Sequence, residues 1–367
     1  MLLTILIVFF SIISLLVFHE FGHFIIAKKL GVRVDEFGIG YPPRLFGKKY
    51  GETLYSLNLL PFGAFVKIYG DEAEPLVQSK SQRKKRDPRS FNSKPIWQRA
   101  LIISGGVIAF WFIAWFILSF VFVTGTLQAI SDEVQNPQAK VLITAIAPGS
   151  PAEKAGLRPG DVIRRLSGID YQISINKMKE IQEFVGKHKG QKIVLTIQRG
   201  QEILDVSLIP RVSPPKGEGA IGISLARTAI KTYSWYQAPI KAIEATLSIT
   251  YLIIKGLYQA IAQAVSGVPV QARLVGPVGV GSLMIQAAQL GIGYYMQFIA
   301  MISIYLAIFN ILPIPALDGG RLLFLGIEKI KGRPVDQLLE QKINTVFFFL
   351  LIGLMIFVTI KDIARLL

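Results

Sequence analysis

The stretch that most constrains the fold is Leu2 to Phe18. Its seventeen residues are interrupted only by Thr4, Ser11 and Ser14, and it runs without a break into His19-Glu20-Phe21-Gly22-His23. At about 1.5 Å per residue such a helix covers most of a roughly 30 Å hydrocarbon layer, so the histidines fall near the far boundary of a bilayer. In an H-E-x-x-H helix, His19 and His23 lie one turn apart on one face, where they can hold a zinc ion, and Glu20 can take a proton from water. That is metallohydrolase chemistry placed inside a membrane, where ionisable groups are costly without a function. A cleaved secretory signal is set aside: the basic leading region and small-residue cleavage site are missing, and the chain continues as Phe24-Ile25-Ile26-Ala27.

Composition agrees. Over 367 residues, 51% are hydrophobic and 17% charged, more apolar than a soluble domain requires. The formal charge of +16 is not gathered into one basic domain with stacking aromatics, so nucleic acid is not expected as a partner. The chain has no cysteine, which excludes disulfides, a thiolate nucleophile and cysteine-bound zinc. Of the three histidines, His188 stands apart in a polar segment and is expected on a solvated surface.

Along the chain, residues 1–30 form the first transmembrane helix. Residues 31–70 read as a membrane-associated β region of short strands (32–34, 37–41, 53–57, 63–68) broken by Gly and Pro, with an open edge near the metal. Residues 71–99 form a basic loop carrying Lys80, Arg83, Lys84, Lys85, Arg86, Arg89, Lys94 and Arg99, a cytoplasmic retention signal that also suits membrane lipids. Residues 100–125 form a second span and 126–230 an extracytoplasmic β-rich insert, with a short helix at 178–185. Residues 231–275 form the amphipathic or surface-helix region; within them the largely apolar stretch 235–265 holds Lys241, Glu244 and Lys255, so it either spans or lies on the surface as amphipathic helices. Residues 276–330 contain a third span, 331–342 a basic cytoplasmic loop and 343–362 the last span. The lysine and arginine bias puts both termini and the insert outside, and the metal site towards the cytoplasm. The fold class is thus a polytopic α-helical membrane protein with a membrane-associated β element and one inserted β-rich domain.

Two histidines leave zinc short of its usual third protein ligand. Asp318 closes an apolar, proline-broken segment, Asn310-Ile311-Leu312-Pro313-Ile314-Pro315-Ala316-Leu317-Asp318-Gly319-Gly320, and completes a His₂-acid set with water in the fourth place. A helix cap is the plainer role for Asp318, and Glu244 is the competing ligand.

These motifs resemble the site-2 protease family of intramembrane zinc metalloproteases, in particular its bacterial regulator-of-sigma-E-protease-like members with an extracytoplasmic PDZ domain. His19 to His23 is similar to the family's zinc motif, and Asn310 to Gly320 to its N-x-x-P-x-P-x-L-D-G motif. The resemblance implies Asp318 as third ligand and Asn310 as a residue that holds substrate or steadies the oxyanion. Leu57 to Ile68 resembles its membrane-dipping β element, Gly276-Pro277-Val278-Gly279 the turn before its third span, and Ala147 to Asp161 bacterial PDZ sequences. It implies that residues 235–265 lie on the outer membrane surface. Its expected substrates are transmembrane segments, trimmed beforehand by another protease. One departure stands at Gly105-Gly106-Val107-Ile108-Ala109, where many relatives read G-P-x-x-N. A metal- or proton-coupled transporter is the alternative, although no inverted repeat is evident. The oligomeric state is not legible.

Overall fold

The computed structural model describes residues 2–71, 87–168, 171–200, 202–215, 217–268 and 275–366. The basic cluster Lys80 to Arg86 lies outside them. Two compact units are distinguished: residues 1–118, 239–285 and 297–367, and residues 119–238 with 286–296.

In the first unit, α1 (Leu2–Lys29) is followed by β1 (Val34–Tyr50) and β2 (Thr53–Ile68), then by α2 (Ile96–Thr124). Four short strands were expected between the first two helices, and the structure has two long ones. Their register resolves the difference. Residues 36–39 of β1 pair with 54–57 on one side and with 64–67 on the other, whereas 46–50 pair with 53–57. Each strand is therefore bent at bulges and used twice, giving four segments in the lateral order 46–50, 53–58, 34–41, 63–68, antiparallel at the two outer pairings and parallel between 53–58 and 34–41. Val32 and Arg33 precede the sheet. Segment 63–68 is an edge, and no described strand pairs with its outer side. Leu45, Phe46, Leu59, Leu60 and Phe62 are exposed on this sheet, an apolar surface suited to lipid.

The insert begins with β3 (Thr126–Ala129) and β4 (Lys140–Ile146). A short turn of helix, α3 (Pro151–Lys154), leads to β5 (Val162–Ser167), β6 (Gln172–Ser174) and α4 (Met178–Lys187), and then to β7 (Ile193–Arg199), β8 (Glu202–Leu208) and β9 (Ile223–Lys231). The seven strands form one sheet in the order β3-β9-β4-β5-β7-β8, with β6 against β5. Ile143, Ile163, Leu166, Ile181, Phe184, Ile193, Leu195 and Ile197 make its core. Arg227 is fully buried and donates to the carbonyls of Ser131, Val134, Asn136 and Asn176, tying the 131–136 loop to the start of α4. His188 overturns the surface expectation. It is buried, stacked on Phe184 with ring centroids 4.3 Å apart, and donates through Nδ1 to the Phe184 carbonyl at 2.8 Å. An imidazole one turn beyond a core phenylalanine can cover it while satisfying the last carbonyls of the helix, a role its polar neighbours concealed.

The chain returns as α5 (Ala238–Val265), α6 (Pro277–Leu290), α7 (Ile292–Ile311), α8 (Asp318–Lys331) and α9 (Gln337–Leu366). Among the described residues, four helices are long and apolar enough to cross a membrane: Thr4–Lys29, Ile96–Thr124, Ile292–Ile311 and Leu338–Ala364. Among the described residues of 231–275 there is one helix, the 28-residue α5. Its polar residues keep it out of the spanning set, but its contacts fall near the middle of α2: Trp111 donates to Thr250 Oγ1 at 3.3 Å and Trp115 to the Pro239 carbonyl at 3.0 Å. The expected loop 331–342 shrinks to 332–336, because Asp336 accepts from the amides of Leu338 and Leu339 at 2.8 and 3.1 Å and starts α9 there.

Far along α9, Asp362 reaches across the unit. Its Oδ2 accepts from the amides of Gly276 and Gly279, each at 2.8 Å, and so caps the start of α6 from another helix. Asp362→Ala is expected to lower stability by about 2 kcal/mol, because two inward amides lose a charged acceptor. Reversible unfolding in detergent, compared with wild type, measures this; an unchanged midpoint would show that the cap contributes nothing.

Candidate metal centre

The site starts from a helix crossing with almost no side chain in it. A Cβ on Gly22 of α1 would lie 2.2 Å from the Gly105 carbonyl oxygen of α2, and one on Gly105 would lie 2.7 Å from the Gly22 carbonyl oxygen. Only glycine lets the two backbones approach so closely. The next residue makes room for the rings: a Cβ on Gly106 would sit 2.2 Å from His19 Cε1 and 2.4 Å from His23 Nε2. Phe110, one turn further along α2, stacks on His19 with centroids 4.6 Å apart. The Ile102 carbonyl, one turn earlier, lies 2.9 Å from His23 Nδ1. A carbonyl can only accept, so Nδ1 carries the proton and Nε2 keeps its lone pair towards the centre.

Asp318 arrives from the opposite end of the chain. After α7, the turn 312–317 reverses the backbone, with Ala316 at φ 74° in the left-handed region and its amide held by Asn344 Oδ1 of α9 at 3.0 Å. The helix α8 then begins hard against this turn, where a Cβ on Gly319 would lie 2.0 Å from the Leu312 carbonyl oxygen. The glycines after Asp318 thus have a steric reason. Helix capping does not: Asp318 Oδ2 is buried and meets no hydrogen-bond donor. Glu244 is not part of the cluster, since it pairs with Lys241 at 2.7 Å on an exposed face of α5.

The three expected ligands converge. His19 Nε2 and His23 Nε2 are 3.3 Å apart, and Asp318 Oδ2 lies 3.4 and 3.3 Å from them. Nitrogen or oxygen ligands about 2.0–2.1 Å from a tetrahedral zinc stand about 3.3–3.4 Å from one another, so this triangle has the size of one face of that tetrahedron. With His23 Nε2 bare and the carboxylate unprotonated, acceptors face acceptors, and a cation removes the conflict. The donor set, two imidazoles and a carboxylate, fits zinc. Among the described residues this is the one group of three or more His, Cys, Asp or Glu side chains able to hold a metal.

A cavity of about 240 Å³ opens beside the cluster. Glu20, His23 and Asp318 line it together with Ala64, Phe65 and Val66 of the edge segment. Asn310 is not among its lining residues; it sits in the last turn of α7 and donates through Nδ2 to the Leu306 carbonyl at 2.8 Å. Sequence reasoning did not single out Gly106, Ile102 and Asn344 as supports of the ligands. The Gly105-Gly106 pair inside an apolar helix was the available signal.

Fold and site thus define a multi-pass membrane protein with a three-ligand metal cluster set among its helices. The chain belongs to peptidase family M50, whose sequence model matches residues 7–354. A Clostridium perfringens protein described as a zinc metalloprotease is 33% identical over 95% of both chains. A Nostoc protein described in the same way is 32% identical over 96% of this chain and 93% of its own. The zinc metalloprotease RasP of Oceanobacillus iheyensis is 28% identical over 95% of this chain and 96% of its own. A solved PDZ domain of an SdrC-like protein from Listeria monocytogenes covers 25% of this chain and 93% of its own at 20% identity and TM-score 0.22.

Purified protein is expected to carry one zinc per chain by elemental analysis. Asp318→Ala should release it, and Gly106→Val should lower occupancy at least tenfold although no ligand is changed. Full zinc in the Gly106→Val protein would show that the rings do not need that space.

Proposed function

We propose that this chain is an intramembrane zinc metalloendopeptidase that cuts transmembrane segments of single-pass membrane proteins. Anti-sigma factors and signal-peptide remnants are the substrate types that fit, within regulated intramembrane proteolysis in a bacterial cytoplasmic membrane. The observation that carries the reading is the ligand triangle, sized for tetrahedral zinc, beside a cavity walled by both Glu20 and a strand edge whose outer side no described strand pairs with.

Zinc held by His19 Nε2, His23 Nε2 and Asp318 Oδ2 would leave one position open and supply Lewis acidity, lowering the pKa of water to about 7. The Glu20 carboxylate takes a proton from the attacking water as its oxygen bonds to the peptide carbon. It returns the proton to the amide nitrogen as the C–N bond breaks, so the products are a carboxylic acid and an amine. Ile102 holds the His23 ring in its tautomer throughout. Asn310 is assigned to the substrate backbone or the oxyanion on family resemblance alone.

A membrane helix hides its peptide bonds within its own hydrogen-bond ladder, and in lipid each unpaired backbone group costs several kcal/mol. The outer side of residues 63–68 answers that cost by offering strand pairing to an unwound stretch. The insert is given the role of controlling access from the extracytoplasmic side, admitting substrates whose outer domains another protease has removed.

Glu20→Gln is expected to keep its zinc and lose cleavage of a helix-destabilised transmembrane peptide by 10²–10⁴-fold. A zinc chelator should abolish cleavage by the wild type. Retained cleavage by Glu20→Gln removes Glu20 as the base. Zinc or proton flux in sealed vesicles, without cleavage under any condition, replaces the protease reading with a transporter. Deletion of residues 130–215 should leave cleavage of a trimmed substrate intact and relax exclusion of an untrimmed one; loss of cleavage of the trimmed substrate would make the insert a recruiting module instead.

A further inference from the structure

One half-buried cation beside the site has no part in the chemistry above. Arg321 stands on α8 three residues after Asp318, on the same face of the helix. Its guanidinium forms an ion pair with Asp71 and lies over the Phe91 ring, 5.8 Å from the centroid. Asp71 follows Ile68, the last residue of the edge segment, by three positions. The short stretch between them is pinned as well: the Tyr69 amide donates to the Arg33 carbonyl at 2.9 Å, and the Phe91 amide donates to the Tyr69 carbonyl at 2.9 Å.

A continuous mechanical link results. It runs from the pairing edge 63–68 through Tyr69 and Asp71 to Arg321, and along one turn of α8 to Asp318. Asp71 and Arg321 also form part of the wall of the metal-site cavity, and the same two residues with Phe91 and Ile103 line a second, polar cavity of about 470 Å³ on the other side. In that second cavity Arg99 pairs with Glu328 of α8, a further tie between this helix and the start of α2. The helix carrying Asp318 is thus held to its surroundings by charge pairs as well as by the hydrophobic cluster that Ile68 and Val66 of the edge share with Leu325 and Leu322 of α8, and the Arg321–Asp71 pair is the charged tie between the stretch that follows the edge and this helix.

We propose that Arg321 and Asp71 are positioning residues that set the register of a docked substrate strand against the metal, and so choose which peptide bond is cut. The inference rests on the zinc-protease reading with strand pairing at residues 63–68. Strand pairing alone does not define a register, because backbone hydrogen bonds repeat every two residues and a slipped strand pairs equally well. What selects one register is the fixed spacing between the edge and the reacting centre, and displacement by about 1 Å is enough to lower a rate by about 10²-fold. The pair supplies that spacing. Its charges are held from opposite elements, so neutralising either one removes the charged tie to α8 while leaving the apolar packing, the expected ligands, Glu20 and the edge residues unchanged in sequence.

The test compares wild type, Asp71→Asn, Arg321→Gln and the charge-swapped double variant Asp71→Arg/Arg321→Asp in the full chain. Zinc content and KM for a transmembrane peptide should stay within about threefold of wild type in the single variants. Their kcat should fall 10–100-fold, and mass spectrometry should find cuts spread over neighbouring bonds in place of one. The swapped pair should restore at least tenfold of the rate and the single cut. A readout that needs no catalysis accompanies this: in a Glu20→Gln background, benzoylphenylalanine in place of Phe65 is photo-crosslinked to the same peptide and the attached residue is mapped. One attachment position with the pair intact and several with either single variant is the expected result. A single attachment position in every variant, or an unchanged single cut, overturns the inference and leaves the protease reading standing. Loss of zinc in the single variants also overturns it, by making Arg321 a support of the ligand only. No attachment even with the pair intact overturns strand docking at this edge, and the register proposal with it.

Discussion

The site depends on the contact of two backbones at Gly22 and Gly105. Helices that carry side chains at their crossing keep 8–10 Å between axes; removing both side chains draws α1 and α2 together, and everything needed to hold two imidazoles then comes from consecutive turns of α2. Ile102 fixes one tautomer, Gly106 leaves the volume, and Phe110 closes the far face of His19. The histidines belong to α1, but their orientation belongs to α2. A bulkier residue at the crossing would disturb the metal without altering any ligand.

Against that fixed pair, Asp318 is brought in by a strained turn. A left-handed Ala316, an Asn344 side chain holding its amide, and a helix start too close to the preceding carbonyls for any Cβ all concern a few residues around one carboxylate. Backbone in an uncommon conformation persists where its surroundings over-determine it. Here the surroundings come from α7, α8 and α9 together, so Asp318 is placed by the C-terminal half of the chain and the two histidines by its opening.

Much of this was legible beforehand, and the limits have physical causes. H-E-x-x-H declares itself because its ligands are four residues apart on one helix. Asp318 could be found because a carboxylate ending an apolar, proline-broken run has few structural excuses. Three of the four β segments, 34–41, 53–58 and 63–68, were readable from composition; 46–50 was not, nor was the lateral order, since only tertiary pairing reveals that one bent strand contributes two neighbours. The polar residues of α5 hid its packing beside α2, and polar neighbours hid the burial of His188. Gly106, Asn344 and Arg321 matter through groups distant in sequence, so no local pattern marks them.

The doubled strands carry one further consequence. An edge that recognises by main chain is indifferent to most side chains, so in the proposed mode a substrate is chosen by how cheaply its helix frays and not by a consensus motif. Glycine, proline or a polar residue at mid-membrane would act as an address label, and a stable polyleucine segment would pass by unread. A protease built this way tolerates a varied clientele while sparing the permanent helices of its neighbours in the bilayer.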